Sequence, residues 1–221
     1  GATGRANMFM LLLAAADALS FLHIPETAGS TIETLSIDWK KKRCGKNENG
    51  VVWKRACDWH TPPRDIQPSD RLYPPTRTFC VVRDPLARLA SAVYYQMENK
   101  DRRKADAGDA ASFNAHIRSR MAMQMRRGHQ TFFWPQAYFT PFCDVVLRFE
   151  SLKRDFDGLM AKIGCPLRIP PARENRGNRL VPLLADDVVA SVRRMYAEDY
   201  ALVERLAGLG LDELLANATS A

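Results

Sequence analysis

The residues whose types and spacing could do chemistry are a histidine on a proline-bound loop, two hydroxyls beside a glycine, and an arginine at the end of an apolar run. From Phe21 to Glu33 the chain reads Phe-Leu-His-Ile-Pro-Glu-Thr-Ala-Gly-Ser-Thr-Ile-Glu. Small residues there let the backbone approach a phosphate-like group. A helix beginning after them offers unpaired N–H groups, and Ser30 and Thr31 add hydroxyl donors. The same letters spell a capping box, Ser30-x-x-Glu33, on an ordinary helix, and both readings stay open. Arg83, in Val-Val-Arg-Asp-Pro, carries a planar fork of donors suited to an oxyanion. Ser91 follows about two helical turns later, where a neutral surface serine is its ordinary reading. His60, in Asp-Trp-His-Thr-Pro-Pro, sits where prolines forbid helix; it is either structural or, because histidine titrates near neutrality, the natural candidate for a general base.

The elements that must position these groups alternate between strand and helix. The apolar run ending at Ile24 predicts a strand, and Ile32, Leu35 and Trp39 recur at helical spacing after the turn. Phe79-Cys80-Val81-Val82 is a continuous apolar run of the kind buried in a parallel sheet. Asp84 can cap and Pro85 can open the next helix, whose apolar face is Leu86, Leu89, Val93, Tyr94 and Met97. Arg83 therefore falls at the carboxyl end of a strand, the edge where open α/β sheets bind ligands. Helix is expected from about Ala110 to Arg127, where Met121, Met123 and Met125 alternate at a spacing that suits adaptable packing rather than a ligand box. Phe132 to Gln136 is an aromatic segment that either walls a pocket or packs a core. A third strand is expected within Asp144 to Phe149, then a helix through Leu152, Phe156, Leu159, Met160 and Ile163, an exposed basic loop from Pro170 to Pro182, and helices to the end. This alternation implies a three-layer α/β domain with a mostly parallel sheet.

Composition bounds the function. The 221 residues, 46% hydrophobic, suffice for one domain, residues 1–221, with a sizeable core. A net charge of +7 and a pI near 9.3 favour an anionic ligand or acceptor. No RNA-binding aromatic signature or zinc-finger spacing occurs, so nucleic acid is not the expected partner, and no metal is expected. The chain opens Gly-Ala-Thr-Gly without an initiator Met, as a trimmed fragment would. Met8 to Leu19 contains Asp17 and falls short of the roughly 20 residues a membrane span needs, so it reads as a first helix or as a signal-peptide core without its basic flank, and the helix is the expectation. A P-loop NTPase is disfavoured because Gly-x-x-x-x-Gly-Lys-Ser/Thr is absent. Cys80, within a buried-strand pattern, reads as a buried free thiol.

Three blocks carry a family resemblance: Phe-Leu-His-Ile-Pro-Glu-Thr-Ala-Gly-Ser-Thr at 21–31, Val-Val-Arg-Asp-Pro-Leu-Ala-Arg-Leu-Ala-Ser-Ala-Val-Tyr-Tyr at 81–95, and Val-Leu-Arg-Phe-Glu-Ser-Leu at 146–152. In order and separation they resemble the carbohydrate sulfotransferases of the heparan sulfate 2-O-sulfotransferase group, over roughly residues 20–206. The resemblance implies a P-loop-like α/β fold using 3′-phosphoadenosine 5′-phosphosulfate (PAPS) as donor, with adenosine 3′,5′-bisphosphate as product. It implies that Pro25, Thr27, Ala28, Gly29, Ser30 and Thr31 hold the 5′-phosphosulfate, that Arg83 and Ser91 grip the 3′-phosphate, and that His60 is the catalytic base. It also implies a carbohydrate-type hydroxyl acceptor, for which the basic loops suit an anionic glycan, and a Golgi or secretory lumen reached by a membrane-anchored parent protein. In such an oxidising lumen Cys44 and Cys57 could be bridged, and the odd total of five cysteines leaves at least one thiol free or intermolecular.

One catalytic position departs from the family. Its pattern is His-Ile-Pro-Lys-Thr, the lysine touching the bridging oxygen and sulfonate, and here that position is Glu26. Two like charges about 4 Å apart repel by roughly 4 kcal/mol at an effective dielectric near 20, on the order of a thousandfold in rate or binding. Either the lysine is simply replaced, or Arg88 or Lys54 supplies the cation, or the chain is a weak or inactive sulfotransferase-like module that binds anionic glycans or nucleotides. A basic module without a nucleotide site, using arginines such as Arg118, Arg126, Arg173 and Arg176, is the competing class.

Overall fold

The computed structural model of the chain describes residues 20–36, 78–127, 132–162, 167–170 and 179–216. The expected helix at Met8 to Leu19, Lys54, His60, Cys44, Cys57, Arg173 and Arg176 lie outside the described residues.

Three strands, β1 (Ser20–Leu22), β2 (Thr78–Val82) and β3 (Val145–Arg148), form a parallel sheet in the order β1-β2-β3. Register pairs Phe21 with Phe79 and Phe79 with Val145. Because strand side chains alternate, Phe21, Phe79, Val81, Val145 and Leu147 share one face, and Leu22, Cys80 and Val82 share the other. Helices cover both faces, which is why every residue of β2 is buried. On the first lie Ile32 of α1 (Gly29–Ser36) and Leu152, Phe156, Leu159 and Met160 of α5 (Leu152–Lys162); the helices between are given below.

The connection from β2 to β3 is mostly helical. It holds α2 (Pro85–Gln96), α3 (Asn99–Asp106) and α4 (Ala110–Arg127), then two 3-10 turns at Gln136–Tyr138 and Thr140–Phe142. After α5 come α6 (Asp186–Met195), α7 (Ala197–Leu206) and α8 (Leu211–Ala216). Leu202, Leu206 and Leu214 from α7 and α8 pack on the second sheet face. A separate core joins Leu89, Val93 and Tyr94 of α2, Phe113, Ile117 and Met121 of α4, and Val188 and Val192 of α6. The chain is thus α/β with a small parallel sheet and mainly helical content. Among the described residues no helix is long and apolar enough to cross a membrane.

Two expectations are corrected. Cys80 is bonded to Cys143 rather than free, with Cα atoms 5.9 Å apart. Sheet register brings them together: the Asp144 N–H donates to the Thr78 carbonyl, and the Thr78 N–H donates to Asp144 Oδ2, so the residue before Asp144 lands beside β2. Closing a loop of 63 residues lowers unfolded-chain entropy by the equivalent of about 4 kcal/mol. The second correction concerns Pro170 to Pro182. Its last part is a 3-10 turn, Val181–Leu183, preceded by Leu180, which is 3% exposed in the α2–α4–α6 core and anchors that end of the segment.

Candidate functional site

Between β1 and α1 the backbone turns through two left-handed residues, Glu26 at φ 64° and Ala28 at φ 69°. A non-glycine residue there costs about 1–2 kcal/mol, so the surroundings must hold it. Part of that hold is Thr27, fully buried, whose hydroxyl donates to the Ile24 carbonyl at 2.7 Å. The Ile32 N–H donates to the Ala28 carbonyl at 3.1 Å, making Ala28 the N-cap. Gly29, Ser30 and Thr31 then form the first turn, where N–H groups have no intrahelical acceptor, and Ser30 and Thr31 are exposed.

This placement corrects the capping-box reading. Ser30 lies inside the helix rather than at its N-cap, and the Glu33 carboxylate accepts from His23 Nδ1 at 2.9 Å. The His23 ring covers Gly29 so closely that a Cβ added there would overlap it, which explains the glycine. No sequence pattern singles out His23 and Glu33 as a pair, because they lie on opposite sides of the turn.

The second segment begins where β2 ends. Arg83 is 3% exposed, and its main chain is clamped at both ends by one side chain: Arg83 N–H donates to Gln136 Oε1, and Gln136 Nε2 donates to the Arg83 carbonyl, each at 2.8 Å. Gln136 is fixed in turn by Asp199 of α7, whose carboxylate accepts from the N–H groups of Gln136 and Ala137. The Arg83 guanidinium lies 4.4 Å from the centre of the Phe149 ring, and its Nη1 donates to the Glu26 carbonyl at 2.9 Å. Burial pushes its pKa down to about 10, against the opposing pull of Glu26 and Glu150, so it remains a cation at neutral pH.

Asp84 caps α2 by accepting from the Ala87 N–H at 2.8 Å, with Pro85 in the first turn, as the sequence leads one to expect. That helix carries Ser91, whose hydroxyl donates to Glu26 Oε2 at 2.7 Å. Ser91 is therefore not a neutral surface serine. The second segment thus holds Glu26 at two points, its carbonyl by Arg83 and its carboxylate by Ser91.

Of the residues singled out in the sequence, Pro25 and Thr27 to Thr31 make up the turn and the helix start, and Glu26, Arg83 and Ser91 meet by hydrogen bonds. Arg88 is 1% exposed, donates to the Trp134 carbonyl and pairs with Asp199 at 3.5 Å; those core contacts correct its role as a replacement cation. Gln136, Asp199 and His23, which hold these two segments by hydrogen bonds, are the residues that sequence reasoning missed. Among the described residues no group of His, Cys, Asp or Glu could hold a metal ion. Chemically, the arrangement sets the first-turn N–H groups and the exposed Ser30 and Thr31 hydroxyls at the head of α1, and links the turn before it to a buried cation and the Ser91 hydroxyl through Glu26. Neither a family model, a curated protein nor a solved structure matches the chain.

Proposed function

We propose that this chain is a sulfotransferase of P-loop-like fold that moves a sulfuryl group from PAPS to a hydroxyl of a carbohydrate-type acceptor. In this reading Thr27 to Thr31 bind the 5′-phosphosulfate at the head of α1, and Arg83 and Ser91 bind the 3′-phosphate. The observation that carries it is the meeting of the turn and the second segment: Arg83 and Ser91, from a distant part of the chain, both hydrogen-bond to Glu26. The three blocks of family resemblance supply the identity of the anion.

Transfer of this kind needs in-line placement and charge stabilisation more than covalent help. The acceptor oxygen forms a bond to sulfur as the sulfur–oxygen bond to the 5′-phosphate breaks. His60 takes the acceptor proton, and adenosine 3′,5′-bisphosphate leaves with the electron pair. The Cys80–Cys143 bridge supports maturation in an oxidising compartment such as the Golgi lumen. The net charge of +7 suits an anionic glycan as acceptor.

The bond between Ser91 and the Glu26 carboxylate favours a second reading, a module that binds nucleotide or glycan with weak or no turnover. Labelled donor with a panel of sugar acceptors separates the two. Transfer lost on His60→Ala supports the enzyme; saturable nucleotide binding without transfer supports the module. Binding of glycan that ignores the nucleotide and survives Arg83→Ala would sink the enzyme and support a basic module without a nucleotide site.

A further inference from the structure

The geometry points to Glu26 as a built-in competitor for the anion site: its carboxylate occupies the Ser91 hydroxyl beside Arg83, and an incoming phosphate must displace it. This inference rests on the reading of Arg83 and Ser91 as the 3′-phosphate donors. It goes beyond that reading by assigning the site a self-occupied resting state and a residue that sets its affinity.

The hydroxyl of Ser91 has one proton to donate, and at 2.7 Å it is given to Glu26 Oε2. A phosphate oxygen at the same hydroxyl therefore excludes the carboxylate. The same residue is anchored through its main chain, where the carbonyl accepts from Arg83 Nη1. Its side chain is thereby tethered next to the groups it satisfies, and a tethered group competes at an effective concentration of roughly millimolar or more. Glu150 and Asp84 add negative charge near Arg83, while Arg88 adds positive charge. None of these three displaces Glu26 from Ser91 in this structure.

Self-occupation differs from simple repulsion in what it does to different ligands. Repulsion by a carboxylate weakens every phosphate in the cleft. Occupation of Ser91 weakens only the phosphate that needs Ser91. Adenosine 5′-monophosphate, which has no 3′-phosphate, is the control that separates the two.

The experiment is calorimetry on the whole chain and its Glu26→Gln and Glu26→Asn variants, with adenosine 3′,5′-bisphosphate and adenosine 5′-monophosphate as probes. Melting curves in inorganic sulfate run beside it. Loss of the carboxylate should tighten the bisphosphate by roughly tenfold to a hundredfold, the range of one charge-assisted hydrogen bond, and the monophosphate by less than threefold. Asparagine tolerates the left-handed backbone, so the second variant guards against misfolding of the first. Equal tightening of both nucleotides, or none, overturns self-occupation and leaves the donor site standing. If no variant binds either nucleotide but sulfate stabilises the two variants and not the parent, the competitor stands and the donor reading falls. No response to any probe overturns both.

Discussion

The carbonyl of Glu26 and the guanidinium of Arg83 meet at 2.9 Å although 57 residues separate them in the chain. That bond ties a left-handed turn to the end of a buried strand. Around it, the Phe149 ring shields Arg83 from water and Gln136 fixes its backbone.

Arg83→Ala is accordingly expected to do two things. It removes the donor to the Glu26 carbonyl, which should lower stability by about 1–3 kcal/mol. It should also abolish saturable binding of adenosine 3′,5′-bisphosphate. Arg83→Lys keeps the charge and loses the fork, so it should recover part of the stability and little of the binding. Urea unfolding and calorimetry on the two variants check this, and undiminished binding in Arg83→Ala would remove the arginine from the site.

Glu26→Lys should raise both donor affinity and sulfuryl transfer. In the free chain the new ammonium faces Arg83, so the variant should melt lower than the parent. With donor bound, the ammonium attracts the sulfonate, a charge that adenosine 5′-monophosphate lacks, by roughly 4 kcal/mol at about 4 Å, and a gain of up to on the order of a thousandfold is accessible. Labelled transfer assays alongside melting curves measure the two effects separately. Equal or lower transfer by the lysine variant counts against a family-like role for position 26.

Local signals were legible in the sequence, and tertiary pairings were not. Asp84-Pro85 announced the start of α2 because a cap and an N-terminal proline act within one turn, and Ala110 to Arg127 matched α4 end to end. The run Phe79 to Val82 showed a buried parallel strand because both its faces are covered. Ser30-x-x-Glu33 misled, since the same spacing places Glu33 opposite His23 once the turn closes over Gly29. Cys80 gave no hint of Cys143, and Gln136 looked like one polar residue in an aromatic segment. Their partners are set by sheet register and by α7, which no local window contains.

The Cys80–Cys143 bridge should matter to the site through β2, which ends at Arg83. A Cys80→Ala, Cys143→Ala double variant is expected to lose about 2–4 kcal/mol, read as a lower urea midpoint. Melting of the parent should fall on adding reductant, and melting of the double variant should not respond through this pair. A parent insensitive to strong reductant under unfolding conditions would be at odds with the bridge.

Acid should unfold the chain partly through Asp155. Burial pushes the carboxyl up, but hydrogen bonds from Arg148, Ser151 and Arg154 together outweigh it and hold its pKa below the ordinary value. A carboxylate depressed in the folded state contributes stability that is fully present above the unfolded pKa, about 3.9, and is lost as pH falls through the folded value. Stability should therefore fall below about pH 4. Asp155→Asn should be less stable at pH 7 and show a shallower acid limb, measured as urea midpoints at successive pH values. An acid limb unchanged by the substitution would assign the loss to other carboxylates, such as Asp157 and Asp187.

Gln136 and Asp199 should act on the anion site without touching it. Gln136→Leu leaves the buried N–H and carbonyl of Arg83 without that clamp, at a cost of about 1–3 kcal/mol for each group left unsatisfied. Asp199→Ala removes the acceptor for two main-chain N–H groups and the partner of Arg88, and breaking a buried pair costs about 3–5 kcal/mol. A purely structural role predicts lower stability with unchanged affinity in whatever fraction stays folded. A positioning role predicts weaker nucleotide binding as well, because the guanidinium donates in a fixed plane and a displaced main chain mis-aims it. Gln136→Glu keeps an acceptor for the Arg83 N–H but loses the donor to the carbonyl and sets a carboxylate against Asp199 Oδ2, 3.5 Å from the amide it replaces, so it should be the least stable of the three and bind more weakly than the parent. Calorimetry at a temperature where all three remain folded gives the answer, and equal affinities in the three chains would confine Gln136 to the core.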